Sequence, residues 1–257
     1  LLYSLCFLAL AGAFTRLPER AGVISLVLGV AGLAGFVLWE LACEAPLIRM
    51  ELFARNTVFA FSNLAALINY AATFAVGFFL SLFLQHIKAL TPGDAGLVLL
   101  VQPAVMALCS PLAGRLSDRV QPRIMASAGM GILTCGLAAL AFLDMHTPVW
   151  YVVACLFGLG IGFALFSSPN ANAVMSSVER PMYGVAAATM STMRQIGHAL
   201  SMSIVVLILS MYLGPAKLEP GAHLQFLAGQ RACFIVYAAI CILGVLASLA
   251  RGNLKRR

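Results

Sequence analysis

The sequence contains little charge. Only 10% of its 257 residues are Asp, Glu, Lys or Arg, and 62% are hydrophobic, whereas soluble globular domains carry about 25% charged residues. This deficit excludes an ordinary soluble domain and indicates a membrane protein. The seven cysteines are scattered without a Cys-x-x-Cys pair, so neither a disulfide framework nor a zinc site is indicated.

The sequence also lacks the signatures of nucleotide and enzyme chemistry. No Lys follows a Gly, so there is no G-x-x-x-x-G-K-[ST] phosphate loop, and pumping driven by ATP within this chain is excluded. The stretch GLGIG at 158–162 lacks the third glycine of a dinucleotide fingerprint, and we interpret Gly158 and Gly162 as a helix-packing face. Without a metal cluster or paired carboxylates in an apolar run, we predict no enzyme, no cofactor and no metal. A transporter, a channel or a packing subunit remains.

Long apolar runs are what the sequence does have. Crossing a bilayer core takes about 20 apolar residues of helix, and eight runs lie at about 1–15, 21–40, 57–85, 94–114, 124–143, 148–168, 184–211 and 231–250. They are continuously apolar, unlike the alternating strands of a barrel. We therefore predict an all-α membrane protein with eight transmembrane helices. We expect the short first helix to be truncated, because no signal-peptide features accompany Leu1.

Lys and Arg divide unevenly between the two sets of loops. One side holds ten: Arg49, Arg55, Arg115, Arg119, Arg123, Arg180, Arg251, Lys255, Arg256 and Arg257; the other holds Arg16, Arg20, Lys88, Lys217 and Arg231, and Arg194 falls within an apolar run. Since the richer side is cytoplasmic by the positive-inside rule, we predict a multi-pass cell (inner) membrane protein with both ends of this chain in the cytoplasm. The net charge of +7 follows from this distribution and needs no nucleic acid. We interpret the basic tail RGNLKRR as a topology anchor that touches anionic headgroups of the lipid bilayer.

The loop GRLSDRVQPR at 114–123 resembles a known motif. Its Gly114, Asp118, Arg119 and Arg123 resemble the G-x-x-x-D-[RK]-x-G-[RK]-[RK] loop of the major facilitator superfamily, with Gln121 and Pro122 as departures. The stretches at 51–63, 81–103, 168–178 and 193–201 are similar, in order and spacing, to the C-terminal portion of its fourteen-span drug:proton antiporter branch.

This resemblance implies an architecture and a function. Residues 1–45 would be two linker helices, 46–56 an amphipathic cytoplasmic connector, 57–250 the C-terminal six-helix bundle of two inverted three-helix repeats, and 251–257 a basic cytoplasmic tail. The N-terminal six-helix half would be a missing partner. The implied function is secondary active transport of a small-molecule substrate by alternating access, most like proton-coupled export of amphipathic drugs. Two alternatives stay open: a non-transporting truncated protein or packing subunit, and an importer of a metabolite or siderophore.

In the family, the 114–123 loop is taken to latch the two halves on the cytoplasmic side, which implies latch roles for Gly114, Arg115, Asp118, Arg119 and Arg123. Gly114 and Asp118 are four residues apart and share a helix face, where the missing side chain lets a neighbouring helix approach the carboxylate. The alternative is a short basic loop that only fixes topology.

Polar residues inside apolar runs are the candidates for a substrate pathway. Ser191, Arg194, His198 and Ser201 recur at steps of three and four and form one polar stripe, with Gln195 beside it. Arg194 is either a substrate or gate contact or a structural Arg bonded to backbone carbonyls. A second set of polar residues lies in the 57–85 run: Asn63, Asn69, Tyr70 and Thr73. These residues either form interhelical hydrogen bonds or line a cavity.

The acids are informative by position. All nine fall in loops or at the ends of apolar runs, whereas proton coupling requires a membrane-embedded carboxylate. We therefore expect that carboxylate in the absent half. His198 is the titratable candidate near neutral pH in this chain.

Overall fold

A computed structural model describes residues 53, 56–117, 119–213 and 223–250. These residues form eight α-helices: α1 Thr57–Thr73, α2 Ala75–Leu82, α3 Pro92–Leu99, α4 Val101–Ser117, α5 Pro122–Leu140, α6 Val149–Ser176, α7 Tyr183–Leu213 and α8 His223–Ala250. A π-helical turn, Phe83–Ile87, continues α2, and a 3-10 turn, Arg180–Met182, precedes α7.

The helices make six candidate membrane spans. They run over Thr57–Ile87, Pro92–Ser117, Pro122–Leu140, Val149–Ser176, Arg180–Leu213 and His223–Ala250. The described part of the chain is helical and contains no strand, as predicted. The spans predicted at about 1–15 and 21–40, most of the connector at 46–56 and the tail at 251–257 lie outside the described residues.

Prolines and caps explain where several helices begin and break. Thr91 caps α3 by accepting a hydrogen bond from the Asp94 N–H, and Pro92 follows at the first helical position. The second span is interrupted at Leu100, between α3 and α4. Pro103 lies three residues further on, and its ring removes the donor that the Leu99 carbonyl would accept from. Pro122 begins α5, as the sequence predicts for a residue that needs no backbone donor there.

Two predicted span boundaries are wrong. α6 continues to Ser176, past the predicted end at about 168, because Pro169 is accommodated inside a packed helix rather than ending it. α8 begins at His223 instead of about 231. Its first turns carry polar residues, which lower the local hydropathy, so the apolar run starts later than the helix. As a result Arg231 lies inside a span, and Arg194 is not the only basic residue there.

The six spans pack in two layers. In the front layer α7 packs on α1, α1 on α6, and α6 on α4; in the back layer α8 contacts α5, and both lie against the front helices. The core between the layers is aromatic and aliphatic. Phe79, Phe234 and Tyr237 are fully buried there, and the Phe79 and Phe234 ring centroids are 5.6 Å apart.

Glycines allow the closest helix approach. A Cβ added at Gly162 of α6 would lie 2.9 Å from the Gly129 carbonyl oxygen of α5, and one at Gly160 would lie 2.8 Å from Val105 of α4. A Cβ at Gly158 would meet no atom within 4 Å among the described residues. The predicted Gly158 and Gly162 face is therefore corrected. Gly162 packs against α5, whereas Gly158 meets no neighbouring helix among the described residues, because α5 and α4 approach α6 on the faces of Gly162 and Gly160.

Candidate functional site

The polar residues of α1 are buried, and their hydrogen bonds stay mostly within the helix. The Asn63 amide donates to the Phe59 carbonyl at 2.9 Å, and the Thr73 hydroxyl donates to the Asn69 carbonyl at 2.7 Å. Among the described residues the Asn69 side chain has no partner on either its nitrogen or its oxygen, and the Asn63 side-chain oxygen has none. Such orphaned amides inside an apolar bundle are costly and need a water or ligand to satisfy them.

The stripe on α7 meets an aromatic face of α1. The His198 ring stacks on Phe74 with centroids 4.1 Å apart and meets Tyr70 edge-on at 5.3 Å. The Arg194 guanidinium lies 5.9 Å from the Tyr70 ring centroid, which is a cation–π distance. The structure thus brings the predicted residues Tyr70, Arg194 and His198 together.

Ser201 lies one turn after His198 on α7, and its side chain contacts the point where the helix of the first span is interrupted. The helix is interrupted at Phe74, between α1 and α2, and the Ala75 N–H donates to the Ser201 hydroxyl oxygen at 3.1 Å. The Tyr237 hydroxyl of α8 donates to the Ser201 carbonyl at 2.8 Å. The break is therefore satisfied by a neighbouring helix, as the apolar setting requires.

A small cavity lies where α1, α6 and α7 meet. Its volume is about 70 Å³, and we name it the Arg194 cavity; its lining is Ala66, Tyr70, Phe166, Ser167, Asn170, Ala171, Met190 and Arg194. This volume holds a few water molecules, whereas drug-sized ligands occupy pockets of about 300–1,000 Å³. Asn170 also donates to the Ser62 carbonyl of α1 at 3.1 Å, so it both lines the cavity and joins two helices.

Other predicted pathway residues do not line this cavity. Gln195 is exposed and Ser191 half-buried. Asn63, Asn69 and Thr73 are buried within the bundle and are absent from the cavity wall. Sequence reasoning missed Phe74 and Phe166, although the spacing of Ala66, Tyr70 and Phe74 by four residues could have indicated the shared face.

The loop motif lies at the end of the bundle where α4 ends and α5 begins. A Cβ at Gly114 would lie 3.4 Å from the Ser168 hydroxyl oxygen of α6, so the helix that approaches Gly114 is α6. Arg115 and Arg119 are exposed. Arg123 is half-buried, and its Nε has no hydrogen-bond partner among the described residues. Asp118 lies outside the described residues.

Six apolar spans that pack against one another, with a cavity that Arg194 lines, define a polytopic membrane protein. Residues 62–256 match the Major Facilitator Superfamily. The chain belongs to this superfamily, which confirms the predicted family and indicates a transporter rather than an enzyme.

Similar proteins carry transporter and resistance names. The chain is 27% identical over 231 residues to the riboflavin transporter RibZ of Clostridioides difficile, covering 89% of this chain and 50% of that protein. It is 30% identical over 206 residues to the multidrug resistance protein Stp of Mycobacterium tuberculosis, covering 79% and 37%. The lincomycin resistance protein LmrB of Listeria monocytogenes is 26% identical over 233 residues, covering 88% and 49%. The chain thus spans about half the length of the curated relatives it matches.

The fold also matches solved structures. A bacterial homologue of the human lysosomal transporter Spinster, in an inward-facing and occupied conformation, superposes with a TM-score of 0.64 at 15% sequence identity, covering 97% of this chain and 66% of that one. At this identity the likeness concerns the fold alone.

Proposed function

We propose that this chain supplies the C-terminal half of a secondary transporter that moves amphipathic small molecules by alternating access. The observation that carries the proposal is the Arg194 cavity, which brings a cation, an aromatic ring and an amide together where α1, α6 and α7 meet. An intramembrane cation that lines a cavity marks a substrate or ion path by default. Among the described residues, Arg194 makes no hydrogen bond to a backbone carbonyl, so the purely structural reading of this residue loses support.

A second six-helix half would complete the site. The cavity alone is too small for a drug-sized ligand, and the front-layer edges α4 and α7 are largely exposed. We infer that a preceding half covers this front and encloses the substrate between the halves. The coverage of about half of each relative supports this arrangement.

Two inverted repeats are supported by the packing pattern. The first span of each set of three packs on the second and third spans of the other set: α1 on α7 and α8, and α6 on α4 and α5. Because each set has an odd number of spans, the two sets cross the membrane in opposite directions. This exchange symmetry is what an inverted repeat produces.

We favour export of drugs over import. The protein would lie in the inner membrane. Stp and LmrB carry resistance names, and the apolar and aromatic lining of the Arg194 cavity suits amphipathic substrates. The coupling carboxylate would lie in the other half, since Asp94, Asp144 and Glu179, the acids that the structure describes, are all exposed and lie at the ends of spans.

The loop motif would act as a latch between the halves. The close approach of Gly114 to α6 places the motif against the helix that also lines the Arg194 cavity. A carboxylate at Asp118 could then bond across to the other half in one state and release it in the next. Arg115, Arg119 and Arg123 would hold this end in the cytoplasm by the positive-inside rule, with both chain ends on the same side.

A metabolite transporter is the second candidate, because the chain is also similar to the riboflavin transporter RibZ. Riboflavin pairs a flat aromatic system with a polar chain, and the Tyr70 and Arg194 pair can hold both. A protein that folds but moves nothing is the third reading.

The test is transport by cells that express the full-length gene containing this chain. We expect a fluorescent amphipathic dye to be exported under a proton gradient and retained when an uncoupler is added. Arg194→Ala should abolish export at an unchanged membrane level, because it removes the cation from the path. Arg180→Ala is the matched control, since Arg180 is exposed outside the cavity.

Each other result decides between the readings. Full export by the Arg194→Ala variant would overturn the role of the cavity. Labelled riboflavin moving instead of the dye would favour the metabolite transporter. No movement of either solute would favour the non-transporting protein.

A further inference from the structure

A groove on the described part of the chain lies away from the Arg194 cavity. It has a volume of about 430 Å³ and is bounded by the α5–α6 loop, the end of α7 and the first turns of α8; its lining is Leu143, Asp144, Tyr212, Leu224, Leu227, Ala228, Arg231, Ala232 and Ile235. We name it the Arg231 groove. It opens on the side of α8 where Leu224 and Ile235 are 72% and 56% exposed, a face that contacts lipid in a membrane.

The groove carries one charge of each sign on an otherwise apolar wall. Asp144 and Arg231 both line it, yet no salt bridge joins them within the 4.0 Å that defines one, and none involving Arg231 occurs among the described residues. Arg231 is exposed, eight residues into α8, and its guanidinium lies 5.7 Å from the Phe142 ring centroid. A guanidinium beside apolar side chains near the end of a span is stabilised by an anion or by water.

Asp144 presents its charge in a fixed position. Its Oδ1 accepts hydrogen bonds from the His146 N–H, the Thr147 N–H and the Thr147 hydroxyl at 2.8, 2.6 and 2.8 Å. The Thr147 hydroxyl bond is the main reason that the pKa of Asp144 lies below its usual value, so the carboxylate is ionised at neutral pH. Its second oxygen accepts no hydrogen bond from the described residues and is available to a donor in the groove.

We propose that the Arg231 groove binds a zwitterionic phospholipid with a primary ammonium group, of the phosphatidylethanolamine type. The phosphate pairs with Arg231, the ammonium donates to the free oxygen of Asp144, and an acyl chain lies along the apolar wall that includes Leu224 and Ile235. A headgroup that carries both charges offers a partner to each of the two side chains at once. The volume admits a headgroup and the first part of a chain.

The test measures lipid binding to the purified, delipidated full chain by native mass spectrometry. Phosphatidylethanolamine, phosphatidylcholine and phosphatidylglycerol with the same acyl chains are titrated separately. We expect phosphatidylethanolamine to bind at least about fivefold more tightly than the other two, because its ammonium alone keeps N–H donors for Asp144 beside a phosphate for Arg231.

Variants separate the two contacts. Asp144→Asn can retain the oxygen that accepts the three turn bonds, and it replaces the second, charged oxygen by an amide NH2 group, which donates rather than accepts. It should therefore erase the preference for phosphatidylethanolamine over phosphatidylglycerol. Arg231→Gln should weaken all three lipids by about fivefold or more. Asp94→Asn, an exposed acid at the same end of the bundle but outside the groove, is the control and should leave binding unchanged.

Several results would overturn the proposal. They are equal binding of the ethanolamine and choline lipids, a preference that survives Asp144→Asn, and binding by Arg231→Gln equal to that of the unaltered chain. Because the experiment measures lipid binding to the isolated chain, its result does not depend on whether the protein transports a solute.

Discussion

The first and second spans are equally apolar, yet they occupy different surroundings. In the most apolar 18 residues of Thr57–Ile87, 56% are buried inside the bundle; in those of Pro92–Ser117, which have the same mean hydropathy, 6% are buried. Hydropathy therefore predicts that each segment crosses the membrane but not what it touches there. Lipid, a neighbouring helix and a missing domain all accept the same apolar side chains.

The difference arises from the number of neighbours. α1 contacts α6, α7 and α8, whereas α4 packs mainly on α6 through a narrow face that includes Val105 and Ala113. The leucines Leu108 and Leu112 of α4 are 76% and 64% exposed, so little of the described chain packs against them. Under the proposed function, part of this surface faces the other half of the transporter, which makes the comparison testable.

The largest expected difference between the two spans comes from matched leucines. Leu80 of the first span is fully buried and Leu108 of the second is 76% exposed. Leu80→Ala should lower the free energy of unfolding by about 2–5 kcal/mol, because it leaves a cavity, whereas Leu108→Ala should cost less than about 0.5 kcal/mol. Both are measured on this chain by unfolding in mixed micelles with increasing dodecyl sulfate.

The same pair can be measured in the full-length transporter. In the full-length transporter, Leu108→Ala should lower the free energy of unfolding by more than it does in this chain if the other half packs on α4. The loss caused by Leu80→Ala should be the same in both. Equal costs for the two leucines in this chain would contradict the burial difference itself.

Much of this architecture was predictable from the sequence. The apolar runs predicted the six described spans, with one error at a proline, Pro169 in α6, and one among polar residues, around Arg231 in α8. A local pattern cannot show that Pro169 is held by packing: the next residue, Asn170, donates to the Ser62 carbonyl on a helix more than 100 positions away.

The candidate site was predictable only in part. The three- and four-residue spacing placed Arg194 and His198 on one face of α7, as the structure shows. Which face of α1 this stripe meets depends on tertiary packing. Gly197 permits the close approach, since a Cβ there would lie 2.7 Å from the Leu67 carbonyl oxygen. The pathway and latch roles of these residues stay predictions.

A smaller effect is expected at the break within the buried span. Ser201→Ala removes the acceptor of the Ala75 N–H, leaving a buried donor unsatisfied, and should cost about 1–2 kcal/mol. Ser203→Ala is the matched control, because the Ser203 hydroxyl donates to the Ala199 carbonyl of its own helix, whose loss should be nearly neutral. The same dodecyl sulfate titration measures both. Equal costs would show that Ser201 does not stabilise the break.

The smallest expected effect lies in the turn that joins the two compared spans. Ala89 has a φ of 52°, a left-handed conformation that costs a residue with a Cβ about 1 kcal/mol and glycine almost nothing. Ala89→Gly should therefore stabilise the chain, by up to about 1 kcal/mol, despite the larger entropy of glycine in the unfolded state. Ala104→Gly, at an exposed position inside α4, should destabilise it by about 0.5–1 kcal/mol. Opposite signs in the unfolding titration would confirm that the turn is strained where the exposed helix is not, and a loss of stability in both variants would contradict it.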